Sequence, residues 1–168
     1  VNAIGNYKNG KSVGFWQFYN KSGRLTAEGN FNDFGDRIGK WTWYTSFNKI
    51  KETAFYKEGV LDGKSFMFHN NGRKYVDAIY KTDFLNGQYE YFNNKGALVQ
   101  RKYFKSGKVD GIYTSYFGVG EKLLEFQIPY IEGEIDGEVL EYYANGDLYA
   151  KSYYVAGKKD GLEIVYHS

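Results

Sequence analysis

The chain has no cysteine, one proline, one methionine and two histidines among its 168 residues. Without cysteine there can be no disulfide and no thiolate metal ligand, although this leaves the compartment open. Leucine, isoleucine and valine are sparse for a globular core, and no stretch is long or apolar enough to cross a membrane as a helix. A strong field of one sign is also missing. The 22 basic and 20 acidic residues are well mixed and leave a net charge of +2, which offers little to a polyanion. The chain begins at Val1 without an initiator methionine or a signal-peptide pattern, so a trimmed start is expected.

What the chain does have is rings and glycine. Aromatic residues make up 20% of it, as 18 Tyr, 13 Phe and 3 Trp, beside 21 Gly. Aromatics suit pleated surfaces, and glycine supplies the positive φ that tight turns demand. Tyrosine covers its neighbours with its ring while leaving its hydroxyl in water. The composition therefore points to strands and turns in a thin structure whose burial is aromatic.

One glycine recurs almost periodically: Gly14, Gly39, Gly63, Gly87, Gly111, Gly137 and Gly161, with steps of 25, 24, 24, 24, 26 and 24 residues. Such a period is the mark of a repeat array. Other columns keep the same phase. Four residues before the anchor stand Gly10, Gly35, Gly59, Gly107, Gly133 and Gly157, with Asp83 in the remaining repeat. Asp62, Asn86, Asp110, Asp136 and Asp160 immediately precede it. Five residues after it the chain is always aromatic: Tyr19, Tyr44, Phe68, Phe92, Tyr116, Tyr142 and Tyr166. Nine after it come Gly23, Gly72, Gly96, Gly120 and Gly146, with Asn48 as the exception. A second aromatic column, at offset 17, holds Phe31, Tyr56, Tyr80, Phe104 and Tyr154, and Tyr7 fits its phase.

Each unit reads as a β-hairpin. A first strand follows the anchor, a turn lies at segments such as Asn70-Asn71-Gly72, and a second strand ends at the later aromatic. A return turn of the form Gly-x-x-Asp-Gly, as in Gly107 to Gly111, leads to the next unit, which makes the seven anchor glycines turn residues. Helix is a poor alternative, because a turn cluster interrupts the chain about every 10 to 14 residues and the apolar spacing is closer to two than to 3.6. The expected fold is all-β: an elongated, single-layer antiparallel β-meander of about seven ~24-residue hairpin repeats, with about fourteen strands. The whole chain, 1–168, reads as one array. It has a partial repeat at 1–13, repeats starting at 14, 39, 63, 87, 111 and 137, and a partial repeat at 161–168. The chain thus opens on a second strand and closes on a first strand, so unpaired edges inviting self-association are expected at both ends. Pro129 lies in the 26-residue unit and is expected to mark a bulge with a local bend.

The pattern Gly-x-Trp-x-x-Tyr, Asn-Gly-x-Leu and Tyr-x-x-Gly-x-x-Asp-Gly resembles the bacterial variant of the MORN repeat. The best copies run from Gly87 to Asp110 and from Gly137 to Asp160. The resemblance covers essentially the whole chain and implies an elongated single-layer sheet. It also implies scaffolding, dimerisation, phospholipid contact or an antitoxin-like role. Asn48 and Asp83 replace two turn glycines, and Ser65 and Glu163 replace the aromatic at offset two. Aromatic cell-wall repeats that bind choline or glycans are the other family considered. Their period is shorter and they lack the Asp-Gly return.

Offsets two and four carry the one candidate binding surface: Trp16 and Phe18, Trp41 and Trp43, Tyr89 and Tyr91. Alternation puts the offset-five rings on the opposite face. Toward the C-terminus the same positions become Val139 and Glu141, then Glu163 and Val165, so the stripe fades. The rings either shield the sheet and each other or form a platform for a protein, a peptide or a glycan. The aspartate row reads as Asp-Gly turn chemistry rather than as metal sites. His69 and His167 read as surface strand residues. The segment Arg101 to Lys108 interleaves basic and aromatic residues as single-strand binders do, but the mixed charge argues against it. The expected function is a non-enzymatic scaffold for protein–protein interaction or self-association, with glycan or peptide binding as the alternative. Neither nucleic acid nor membrane lipid is an expected partner. No catalytic residue, metal ligand or cofactor is expected.

Overall fold

The computed structural model describes residues 1–118 and 123–167. Its contacts divide the chain into two compact units, Val1–Phe84 and Leu85–Ser168. The first unit holds β1 (Ala3–Lys8), β2 (Lys11–Tyr19), β3 (Leu25–Phe31), β4 (Arg37–Tyr44), β5 (Ile50–Lys57), β6 (Val60–Phe68) and β7 (Lys74–Lys81). Each strand pairs antiparallel with the next. β8 (Phe84–Phe92) leads into the second unit. There follow β9 (Leu98–Lys105), β10 (Lys108–Val109), β11 (Gly111–Tyr116), β12 (Leu124–Ile131), β13 (Glu134–Ile135), β14 (Gly137–Tyr142), β15 (Leu148–Val155), β16 (Lys158–Lys159) and β17 (Ile164–Val165). These strands also run in meander order. Counting β10 with β11, β13 with β14 and β16 with β17 as interrupted single strands gives the fourteen strands expected. There is no helix among the described residues.

Two kinds of turn occur, alternating except at the β3–β4 return, where Asn32 to Asp36 form the wider kind. One is a two-residue reversal in which both central residues have positive φ, as in Asn9-Gly10 (51° and 76°) and Ser106-Gly107 (49° and 83°). That is the type I′ geometry whose twist matches paired strands. The other is wider: Gly23 N donates to Asn20 O, and the Asn20 Oδ1 accepts from the backbone of Ser22 and Arg24. Asn93 makes the same cap to Lys95 and Ala97, and Thr45 makes it with its hydroxyl. The offset-six column is therefore a capping column, and His69 sits in it, its carbonyl accepting from Gly72 N.

The anchor glycines are not the corners. Gly14, Gly39, Gly63 and Gly87 lie inside strands, and Gly111 and Gly137 open strand segments, all at positive φ. They form β-bulges, and the true reversal lies four residues earlier. At Gly137 a side chain would also meet the Pro129 Cγ at 3.0 Å, and at Gly63 it would meet the Phe55 Cβ at 3.0 Å. The preceding aspartate likewise serves the bulge and not the turn. Asp110 N donates to Tyr103 O, and Asp160 N to Tyr153 O. Its carboxylate reaches the next hairpin: Asp110 accepts from Glu132 N at 3.3 Å and Asp136 from Ala156 N at 3.1 Å. The row of aspartates is thus a set of inter-repeat staples.

Pro129 does not make a bulge in its own strand. It pairs in register with Ile112, and its carbonyl accepts from Asp136 N at the interruption of the partner strand. Tyr103 and Tyr153 hold the equivalent place elsewhere. Proline is tolerated because its missing N–H faces a gap in the ladder that every such repeat has. The two extra residues of that unit fall in the preceding loop, where Phe117 N reaches Leu123 O instead of the shorter closure of Asn93 on Ala97. Gly120, in the turn column, lies outside the described residues.

The first unit has a ring-bearing face with close backbone approach beneath it. A Cβ on Gly29 would stand 2.3 Å from the Trp41 indole, and one on Gly5 2.2 Å from that of Trp16. These glycines serve close packing, since their φ is ordinary. Gly29→Ala should destabilise the protein by about 3 kcal/mol through overpacking. Gly10→Ala, where nothing lies within 4 Å but φ is +76°, should cost only about 1 kcal/mol. Urea midpoints of the two variants provide the comparison.

Candidate functional site

Alternation along β2 and β4 sends Trp16, Phe18, Trp41 and Trp43 to one face, where Phe31 of β3 and Tyr56 of β5 join them. Trp16 stacks on Phe18 at 5.9 Å, and Phe18 lies 6.0 Å from Trp41, which is 6.0 Å from Trp43. Phe31 meets Trp41 edge-on at 5.0 Å, and Tyr56 lies 6.2 Å from Trp43. These offset and T-shaped arrangements are the favoured ones for aromatic quadrupoles.

Burial separates the candidates. Trp41 is 1% exposed and Trp16 5%, so both are core residues. Their indole N–H groups donate to Asn30 O and Val13 O, each at 3.2 Å. The expectation that Trp41 is a platform is corrected by its own neighbours, which cover it in the absence of a second layer. Phe18 and Trp43 are half-buried and form the accessible margin of the cluster. Tyr89 and Tyr91, half-buried on β8, belong to the second unit, where Tyr89 packs edge-on to Phe104 at 6.0 Å.

Two charged residues border that margin, and neither was singled out from the sequence. The Arg37 guanidinium lies 4.7 Å from the Trp41 ring centre, 5.5 Å from that of Tyr56 and 6.0 Å from that of Trp43. The protein's own cation therefore fills this aromatic cage. The signal was present in the column two before the anchor, where the four internal units from Gly63 to Gly137 carry Leu61, Leu85, Val109 and Ile135 while Arg37 is charged, as is Lys159 in the last unit. Glu52 is the cross-strand partner of Trp43 on one side and of Met67 on the other. Desolvation among these apolar groups raises its pKa, with Lys51 pulling the other way. Burial, and then the charge of Glu52, raises that of Tyr80.

The opposite face of the same unit is a polar ladder. Tyr19 donates to Gln17, Gln17 donates to Glu28, and the Tyr44 hydroxyl donates to Glu28 at 2.5 Å. Burial, helped by Glu28, pushes the Tyr44 hydroxyl up to about 12. In the second unit Tyr142 donates to Gln127, and Arg101 pairs with Glu90 at 2.6 Å. Arg101 is thereby occupied, while Lys102 lies over Tyr113 at 5.2 Å. Alternation thus sends adjacent basic residues of β9 to opposite faces, and the run Arg101 to Lys108 makes no continuous basic strip.

Among the described residues no three His, Asp or Glu side chains converge as a metal site. No described buried side-chain polar atom lacks a hydrogen-bond partner. His69 packs on Tyr75 at 4.9 Å, and His167 is exposed. What the described surface offers is ring area, hydrogen-bond acceptors and scattered charge.

The family model of the MORN repeat variant matches residues 37–58 and 135–156. Both segments run from two residues before an anchor glycine to the first residue of the next two-residue turn, which is one bulge and one hairpin. At these two segments the chain matches the MORN repeat variant. MORN repeats generally form non-enzymatic repeat domains that contact proteins or membrane lipids. No curated protein matches the chain.

The desolvation of Glu52 gives a signed pH test. With its folded pKa raised, native stability is fullest below the ordinary carboxylate value of 4.5 and is lost as pH rises through the raised value. Glu52→Gln should therefore raise the urea midpoint at pH 7 and leave it unchanged near pH 4. Denaturation curves at several pH values provide the check.

Proposed function

We propose that this MORN-variant protein is a non-enzymatic scaffold that binds a protein partner at the accessible margin of its ring cluster. Phe18 and Trp43 make the apolar contact, and Arg37 and Glu52 set its orientation from the rim. The observation that carries this reading is the position of Trp43. It stays half-buried while the adjacent Trp41 is covered, and a guanidinium and a carboxylate flank it. Tryptophan and arginine are among the residue types that dominate binding energy at protein interfaces. The array 1–168 is read as one scaffold, because the 24-residue step continues from Gly63 through Gly87 to Gly111. Self-association through the same margin is included in the proposal. Glycan stacking is the second reading, favoured by the tilted pair Trp43 and Tyr56 with 55° between their planes.

The double variant Phe18→Ala, Trp43→Ala should keep its far-UV circular dichroism and lose at least about tenfold in affinity for a partner captured from native extract. Trp41→Ala should instead unfold or lose about 3–5 kcal/mol of stability, as removal of a buried aromatic does. Sedimentation over a wide concentration range tests self-association, a glycan array the second reading, and anionic vesicles the lipid contact open to MORN repeats generally. Retained partner binding in the double variant would place the interface elsewhere.

A further inference from the structure

The ring positions become acidic toward the C-terminus, and there the second unit forms a groove of about 450 Å³. It is lined by Phe117, Phe126, Tyr143 and Tyr149 together with Glu125 and Glu141. Phe126 and Glu141 are direct cross-strand partners, so a ring and a carboxylate stand side by side. Glu125 is held by a hydrogen bond from the Ser115 hydroxyl at 3.1 Å. Tyr143 and Tyr149 meet edge-to-face at 5.0 Å, and the Tyr143 hydroxyl is tied to Tyr166 O. Among the described residues no lysine or arginine lines the groove, and no described cation makes an ion pair with either glutamate.

We infer that this groove binds an arginine side chain of a basic polypeptide. Two carboxylates beside ring faces are complementary to a cation with a flat apolar surface. A guanidinium stacks on a ring while donating in its plane to a carboxylate, which an ammonium cannot do. The first unit already contains a version of this interaction, where Arg37 lies over Trp41 and Tyr56. In the groove the rings and carboxylates are supplied and the guanidinium is not. The site lies in the second unit and shares no residue with the Phe18 and Trp43 margin, so the two proposals stand or fall separately.

The test uses the full chain and a capped pentapeptide containing two arginines, followed by NMR and calorimetry. Saturable shifts of the Tyr143, Tyr149 and Phe126 ring resonances are expected. Replacing arginine by citrulline, which keeps the shape without the charge, should weaken binding about tenfold or more, as should the double variant Glu125→Gln, Glu141→Gln. The citrulline arm needs no mutant, so the inference stays open to refutation even if the double variant fails to fold. Equal binding of the citrulline peptide, ring shifts confined to other residues, or no saturable binding would overturn it. Choline binding as tightly as the arginine peptide would also overturn it, by assigning the groove to small quaternary ammonium ions.

Discussion

Each repeat depends on a residue at positive φ inside a strand, following an aspartate or asparagine in the later units. At Gly63 and Gly137 φ reaches 125° and 118°, and a side chain on either would press on the residue eight positions earlier. The bulge made there interrupts the ladder and turns the preceding carboxylate outward, toward the next reversal. The carbonyl two residues before the glycine is used in the same way. Arg37 O accepts from Gly59 N, and Val109 O accepts from Gly133 N. Successive hairpins are thus joined at their turns by backbone and carboxylate hydrogen bonds, in addition to strand pairing. This is the nearest-neighbour interface on which a repeat array depends.

A sheet with no second layer must bury its rings against its own backbone and against each other. Gly5 and Gly29 let the indoles of Trp16 and Trp41 lie almost on the strand, and neighbouring rings close over them. Small residues continue the same floor: Ala54 and Ala78 are fully buried, and Ser65 is 2% exposed. Sparse aliphatic residues are therefore compatible with a real core. Its cost is that large aromatics serve as structure and leave only their margin for contact.

Charge is used locally in this architecture. On the polar face of the first unit, Glu28 is shared by Gln17 and Tyr44, and in the second Glu90 is taken up by Arg101. On the ring faces, by contrast, Glu52 and Glu141 stand beside aromatic side chains, and Arg37 lies over them. Charges against rings orient a partner and select its sign, whereas the hydrogen-bonded ladders stiffen the sheet. The division is in keeping with the binding role proposed for the ring margin.

Fold class, repeat period, strand number and the opposed placement of the offset-five tyrosines were all legible in the sequence, because alternation and glycine spacing are local properties of the chain. The turn residues were assigned four residues too late. Gly-x-x-Asp-Gly contains two positive-φ glycines, and composition does not say which makes the reversal and which the bulge. The role of Gly29 could have been read from its 24-residue spacing to Gly5, but only the packed indole shows why it must be small. The candidate site was half legible: the sequence located the rings. Which of them are covered, that Arg37 caps the cluster, and that Glu125, Glu141 and Tyr149 line one groove were decided by tertiary structure. Burial and electrostatic environment are set by residues on neighbouring strands, eleven or more positions away along the chain in pairs such as Trp41 with Ala54 and Phe126 with Glu141.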